Sequence, residues 1–171
     1  MISSIKLRRQ QSEANVQSDK HYPEYKDQLV CIPAGGGKSI LMVHRVEEHL
    51  KKYGGAAVVL SPYRKVNEQL IKTFRNVSDL KVGYLSGTRH FFSMSDVYIG
   101  TVQSSLSEDY QAMAKGLIKG NVSILLIDEA HVGYDHYKPM LDMLNEDCLV
   151  LKLTATPYKS NKWGFPDSKL V

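Results

Sequence analysis

Two short stretches hold residue types whose spacing could do chemistry. The first is GGGKS, residues 35–39, with Gly35, Gly36 and Gly37 followed by Lys38 and Ser39. Glycines let successive backbone N–H groups converge on phosphate oxygens, and a helix starting there adds its positive end. In such a loop Lys38 reaches the β- and γ-phosphates of a nucleoside triphosphate and the Ser39 hydroxyl takes a place on Mg²⁺. The full GxxxxGK[ST] pattern is not met, because Ile32 stands where its first glycine would be. The second stretch is LLIDEAH, residues 125–131, in which an apolar run ends on Asp128 and Glu129. Charges at the end of a buried strand need a cation, a metal or an emerging position. One acid holding magnesium through water and another activating a water satisfies that need.

The elements that must position these residues read as an α/β fold with a mainly parallel sheet covered by helices on both faces. QLVCI (28–32) is expected as the first strand, running into PAGGGKS. In the following helix Val43, Val46 and Leu50 share a face, and Gly54 and Gly55 stop it. AAVVLS (56–61) is a strand buried on both faces; Pro62 opens the next helix, with Ser61 available as a cap. Further strands are expected at 81–87, 96–101, 123–128 and 148–156. The least regular stretches are 86–96 and 131–139. We expect the glycine turn and the acidic pair to come from neighbouring strands and to face one another across a triphosphate.

At 171 residues, with 43% hydrophobic and 23% charged residues, the chain suits one compact unit. No stretch approaches the apolar length that spans a bilayer, and MISSIKLRRQQ lacks a secretory signal's apolar core, so a cytoplasmic site and no membrane partner are expected. Cys31 and Cys148 each lie in an apolar run without a CxxC, which favours buried, reduced thiols. A net charge of +4 is compatible with a polyanionic partner and decides nothing alone. His131, Asp135 and His136 match no standard metal-ligand spacing, and the HFF triplet at 90–92 is read as packing against its own domain.

With these motifs in order, the chain resembles the superfamily 2 helicases and translocases. PAGGGKS, VVLSPYR, IGTVQSS, LLIDEAH and LTATP look like motifs I, Ia, Ib, II and III, and LRRQQSEA is similar to the LRxxQxxA element. The look is closest to DEAH-carrying double-strand translocases such as restriction-enzyme motor subunits and phage branch-migration helicases. That resemblance implies a RecA-like P-loop NTPase domain over residues 1–157. It makes Lys38, Ser39, Asp128 and Glu129 the site for ATP and Mg²⁺, with Lys38, Asp128 and Glu129 catalytic. It puts Gln11 at the adenine-reading position and makes His131, Thr154 and Thr156 couple nucleotide state to domain movement. It places Pro62, Tyr63, Arg64, Gly100, Thr101 and Gln103 against the phosphate backbone of nucleic acid, DNA rather than RNA. Such contact is sequence-independent and salt-sensitive.

Members of the superfamily close two such domains around ATP, the second supplying arginine fingers. In this chain Arg89 is the last arginine, and residues 158–171 resemble the start of a linker to that second domain. The resemblance therefore implies the first motor domain alone, weak in hydrolysis by itself. Two other readings stay open on the residues: a helicase-like regulatory or nucleic-acid-binding module without catalysis, and a P-loop enzyme acting on a small molecule.

Overall fold

The computed structural model describes residues 6–85, 94–101, 103, 121–132, 134–159 and 162–171. Helix α1 spans Arg9–His21, and β1 spans Asp27–Cys31. After the glycine loop come α2 (Lys38–Tyr53), β2 (Ala56–Ser61), α3 (Arg64–Val77), β3 (Val82–Leu85) and β4 (Val97–Thr101). The chain continues through β5 (Val122–Ile127), α4 (Tyr134–Leu141) and β6 (Leu149–Thr154). It ends with the small hairpin β7 (Tyr158–Lys159) and β8 (Lys162–Trp163), and β9 (Lys169–Leu170).

Seven strands form one sheet in the order β3-β4-β2-β5-β6-β1-β9, and every pairing in it is parallel. Strand β2 is buried along its whole length because its alternating side chains enter opposite layers. Val58 and Leu60 join Leu125, Ile127, Tyr137, Met140 and Phe165 on one face. Ala57 and Val59 join Ala14, Leu41, Val46, Leu70 and Phe74, carried by α1, α2 and α3, on the other. Full burial of such a side chain contributes about 1.5–3 kcal/mol, so these layers hold the helices against the centre of the sheet.

Val43 and Val46 are fully buried and Leu50 packs against the same layer, as the helical spacing predicts. Gly54 ends α2 with φ +72°, its N–H donating to the Leu50 carbonyl. Ser61 is no helix cap: α3 begins at Arg64 with Tyr63 at the cap position, and the Ser61 hydroxyl faces the Tyr63 carbonyl (3.1 Å) and the Asn67 amide oxygen (2.7 Å). Residues 134–139, read from sequence as irregular, lie in α4. Cys148 is buried as expected, but Cys31 is exposed, since it closes β1 on the face that the pattern leaves open. Both thiols are free.

Residues after β6 return to the domain. Phe165 is 2% exposed in the core layer, and β9 pairs with β1 through Gln28↔Lys169 and Leu29↔Leu170. A buried polar triad fastens this return. The fully buried Lys152 ammonium on β6 donates to Asp27 (2.7 Å) and Ser168 (3.0 Å), and the Ser168 hydroxyl donates to Asp27 (2.6 Å).

Candidate active site

The loop after β1 takes the shape its glycines permit. Gly35 and Gly37 sit at φ +74° and +79°, a region costly for side chains with a Cβ. A Cβ on Gly36 would run into the Ile32 side chain and lie 2.9 Å from the Pro33 carbonyl oxygen, and one on Gly37 would strike the Gln11 amide. The cradle therefore stays open only with glycine. It delivers Lys38 as the first residue of α2, with no acidic residue in the first turn. A cation at a helix N-terminus works against the helix field, so this end of α2 is set up for an anion.

Across the loop, β5 ends on the acids. The Asp128 N–H donates to the Leu60 carbonyl of β2 (2.8 Å), and the Ala130 N–H donates to the Leu153 carbonyl of β6 (3.0 Å). Between them Glu129 has φ +49°, in the left-handed region, with its N–H donating to the Asp128 carboxylate (3.0 Å). A non-glycine residue held there stores strain that its neighbours must hold in place.

Lys38 meets both acids. Its ammonium donates to Glu129 Oε1 and lies 3.9 Å from Asp128 Oδ1. The lysine and Asp128 side chains are 11% and 8% exposed, Glu129 27%. Burial pushes the Asp128 carboxyl above its ordinary range; the Lys38 charge opposes that shift and the Glu129 charge adds to it. The two strands are not the neighbours that the sequence reading expected: β6 lies between β5 and β1. The residues still meet because both loops leave the carboxyl ends of parallel strands, where α/β sheets gather their ligands.

From the intervening β6 comes the third component. Thr154, fully buried, shares a hydrogen bond with His131 Nδ1 (2.8 Å), and its hydroxyl oxygen accepts the Thr156 N–H (3.0 Å). His131 Nδ1 is in turn 3.5 Å from Glu129 Oε2. A continuous chain of polar contacts thus runs from Lys38 through Glu129 and His131 to Thr154 and Thr156.

Gln11 lies 3% exposed against the loop. Its Nε2 donates to the carbonyls of Gly36 (2.9 Å) and Gly37 (3.0 Å), and its Oε1 accepts the Arg8 N–H (2.8 Å), so one amide ties the start of α1 to the glycine loop. The stretches 62–64 and 100–101 are brought together, because Leu60↔Gly100 and Ser61↔Thr101 are register partners on β2 and β4. Tyr63 (55% exposed) and Arg64 face solvent and Gln103 is exposed, whereas Gly100 and Thr101 are buried. A Cβ on Gly100 would lie 2.5 Å from Leu85 Cβ, so glycine there serves the close approach of β3. The 90–92 triplet lies outside the described residues.

Sequence reasoning passed over Tyr137. It is fully buried on α4, and its hydroxyl donates to the Ala130 carbonyl inside the acidic turn (2.8 Å). A buried tyrosine seeks a partner for its hydroxyl, but its sequence position names none.

A family model described as "Type III restriction enzyme, res subunit" matches residues 4–159. The chain is 27% identical over 109 residues to the ATP-dependent DNA helicase Hel308 of Pyrococcus horikoshii; the match covers 61% of this chain and 15% of that protein's length. In three dimensions it is similar to the UvsW helicase from bacteriophage T4, with TM-score 0.77, 15% identity, and coverage of 98% of this chain and 60% of the other. It is also similar to the Sulfolobus solfataricus SWI2/SNF2 ATPase core in complex with dsDNA (TM-score 0.69, 16% identity, 91% of this chain and 33% of that one).

Proposed function

The chain belongs to the type III restriction enzyme res subunit family, with a superfamily 2 RecA-like motor domain, and from that premise we propose that it binds ATP·Mg²⁺ as part of a DNA-dependent translocase or helicase. Residues 1–157 serve as its first motor domain, and 158–171, which return to its sheet through β9, precede a second RecA-like domain that completes the site. The observation that carries this reading is the convergence of Lys38 on Asp128 and Glu129 across β6.

The residues present fit ATP and its magnesium. The glycine cradle would admit phosphate oxygens, Ser39 would supply a hard oxygen ligand for Mg²⁺ and Asp128 would hold the ion through water, giving its buried carboxyl a cationic partner. Bound ATP·Mg²⁺ supplies the phosphoanhydride bond that the reaction cleaves. Lys38 releases Glu129 and turns to the β- and γ-phosphates. Glu129, freed, orients a water and takes its proton on a carboxylate oxygen. His131 and Thr154 pass the change in Glu129 to the segment through Thr156. Arginines that neutralise charge on the transferring phosphate come from the second domain, so the isolated chain binds ATP measurably and hydrolyses it poorly.

Pro62 and Tyr63 of the β2–α3 turn and Arg64 at the start of α3, with Gly100 and Thr101 at the end of β4 and Gln103 beyond it, lie against one strand's phosphates. The exposed Tyr63 and Arg64 make the direct contacts, and the buried Gly100 and Thr101 shape the surface behind them. Among the described residues no helix is long and apolar enough to cross a membrane.

Thermal melting with a non-hydrolysable ATP analogue and Mg²⁺ tests the site. At about a hundred times the dissociation constant the analogue should add roughly 2.7 kcal/mol to the wild type and nothing to Lys38→Ala. A wild type whose melting point ignores the analogue refutes the reading.

A further inference from the structure

Glu129 is held at φ +49° in a turn whose backbone bonds come mostly from β2, β6 and the turn itself. The Val132 N–H closes that turn by donating to the Glu129 carbonyl (2.8 Å). The next carbonyl, that of Ala130, points inward, and Ala130 itself is fully buried. It accepts a hydrogen bond from a side chain, the Tyr137 hydroxyl at 2.8 Å, delivered by α4 seven residues downstream.

We propose that Tyr137 is a positioning residue for hydrolysis: its hydroxyl fixes the Ala130–His131 peptide and so keeps Glu129 and His131 aimed at Lys38 and Thr154. The inference rests on the proposed ATPase reading and adds to it a residue outside the DEAH stretch. Loss of the hydroxyl removes this buried hydrogen bond, the tie between the Ala130–His131 peptide and α4, and lets the peptide turn toward another donor. That rotation acts on ψ of Ala130 and φ of His131, between the two side chains that contact each other at 3.5 Å (Glu129 Oε2 to His131 Nδ1). The Tyr137 ring, packed with Leu125, Ile127 and Met140 in one core layer, sets where the hydroxyl lies, and α4 thereby becomes part of the catalytic architecture.

Tyr137→Phe tests this, since it removes one oxygen and keeps the ring. In the full chain, hydrogen exchange of the Val132 amide should quicken about tenfold while the amides of β5 remain protected as in wild type. Single-turnover ATP hydrolysis should fall about tenfold or more, with affinity for a non-hydrolysable analogue kept within roughly twofold. Unchanged exchange at Val132 overturns the inference whatever the nucleotide does, as does an unchanged hydrolysis rate in a variant that binds the analogue normally. Failure of the wild type to bind the analogue sinks the ATPase reading instead, and the exchange measurement still decides whether Tyr137 holds the turn.

Discussion

Two lysines in this domain are drawn out of water against carboxylates, and they behave as opposites. Lys152 is fully buried on β6, inside a seven-stranded sheet, and meets Asp27 and Ser168 with hydrogen bonds of 2.7 and 3.0 Å. Lys38 hangs from a glycine loop and is shared between Glu129 and the more distant Asp128. The chemical pair is the same, and the difference lies in the backbone that carries it. A strand pinned by ladders on both sides cannot give its lysine another partner, so the Lys152 triad is a permanent fastening of β9 to the sheet. A loop with positive-φ glycines and a strained Glu129 opposite can release its lysine to a ligand.

The largest effect that would break this comparison is at Lys152. Lys152→Met leaves Asp27 and Ser168 without their cation in a partly closed site and should cost about 3 kcal/mol in urea unfolding. Lys38→Met should cost about 1 kcal/mol or less, because Glu129 turns to water. Equal losses would erase the distinction.

A third basic group sharpens it from another side. His49 on α2 is fully buried, and burial together with the nearby Arg45 charge pushes it down to about 4. This group stays neutral where the lysines found acids. Its folded value lies below the ordinary 6.5 of a histidine, so between those values the unfolded chain binds the extra proton. The contribution to stability is therefore complete above about pH 6.5 and is lost as pH falls toward about 4, worth about 3 kcal/mol at most. Unfolding measured across that window should show the slope for wild type and a flatter one for His49→Phe.

The smallest effect concerns strain. Glu129→Gly relieves the left-handed backbone and removes the acid, so it should raise the folding stability by about 1 kcal/mol while abolishing hydrolysis. A loss of stability would mean that the turn is not strained, and that the Lys38 contact is structural after all.

Much of this architecture was legible in the chain. The principal strands show as apolar runs because both their faces are covered, and the glycine loop and acids show because their side chains have few other uses at strand ends. Strand order was not legible: connections between parallel strands do not say which strand intervenes, and β6 came between β5 and β1. Strand β9 pairs only two residues from a polar tail, below what alternation can register. Helix α4 was hidden by Gly133 and Pro139, which punctuate like a loop. Cys31 sat in an apolar run yet faces outward, since the last residue of a strand escapes the layers that cover its middle. Tyr137 went unread because its value lies in a hydroxyl, and only the folded chain shows where that hydroxyl points.

The bonds that Asp128 and Ala130 make through their N–H groups, to Leu60 and Leu153, carry a mechanical consequence. Leu60 is the residue before Ser61, the last of β2, and Leu153 is the residue before Thr154, the last of β6. The acidic corner is thus sewn to its left-hand and right-hand neighbours alike. A shift of that corner by a fraction of an ångström pulls on the ends of β2 and β6 together, like a single stitch drawing two edges of cloth.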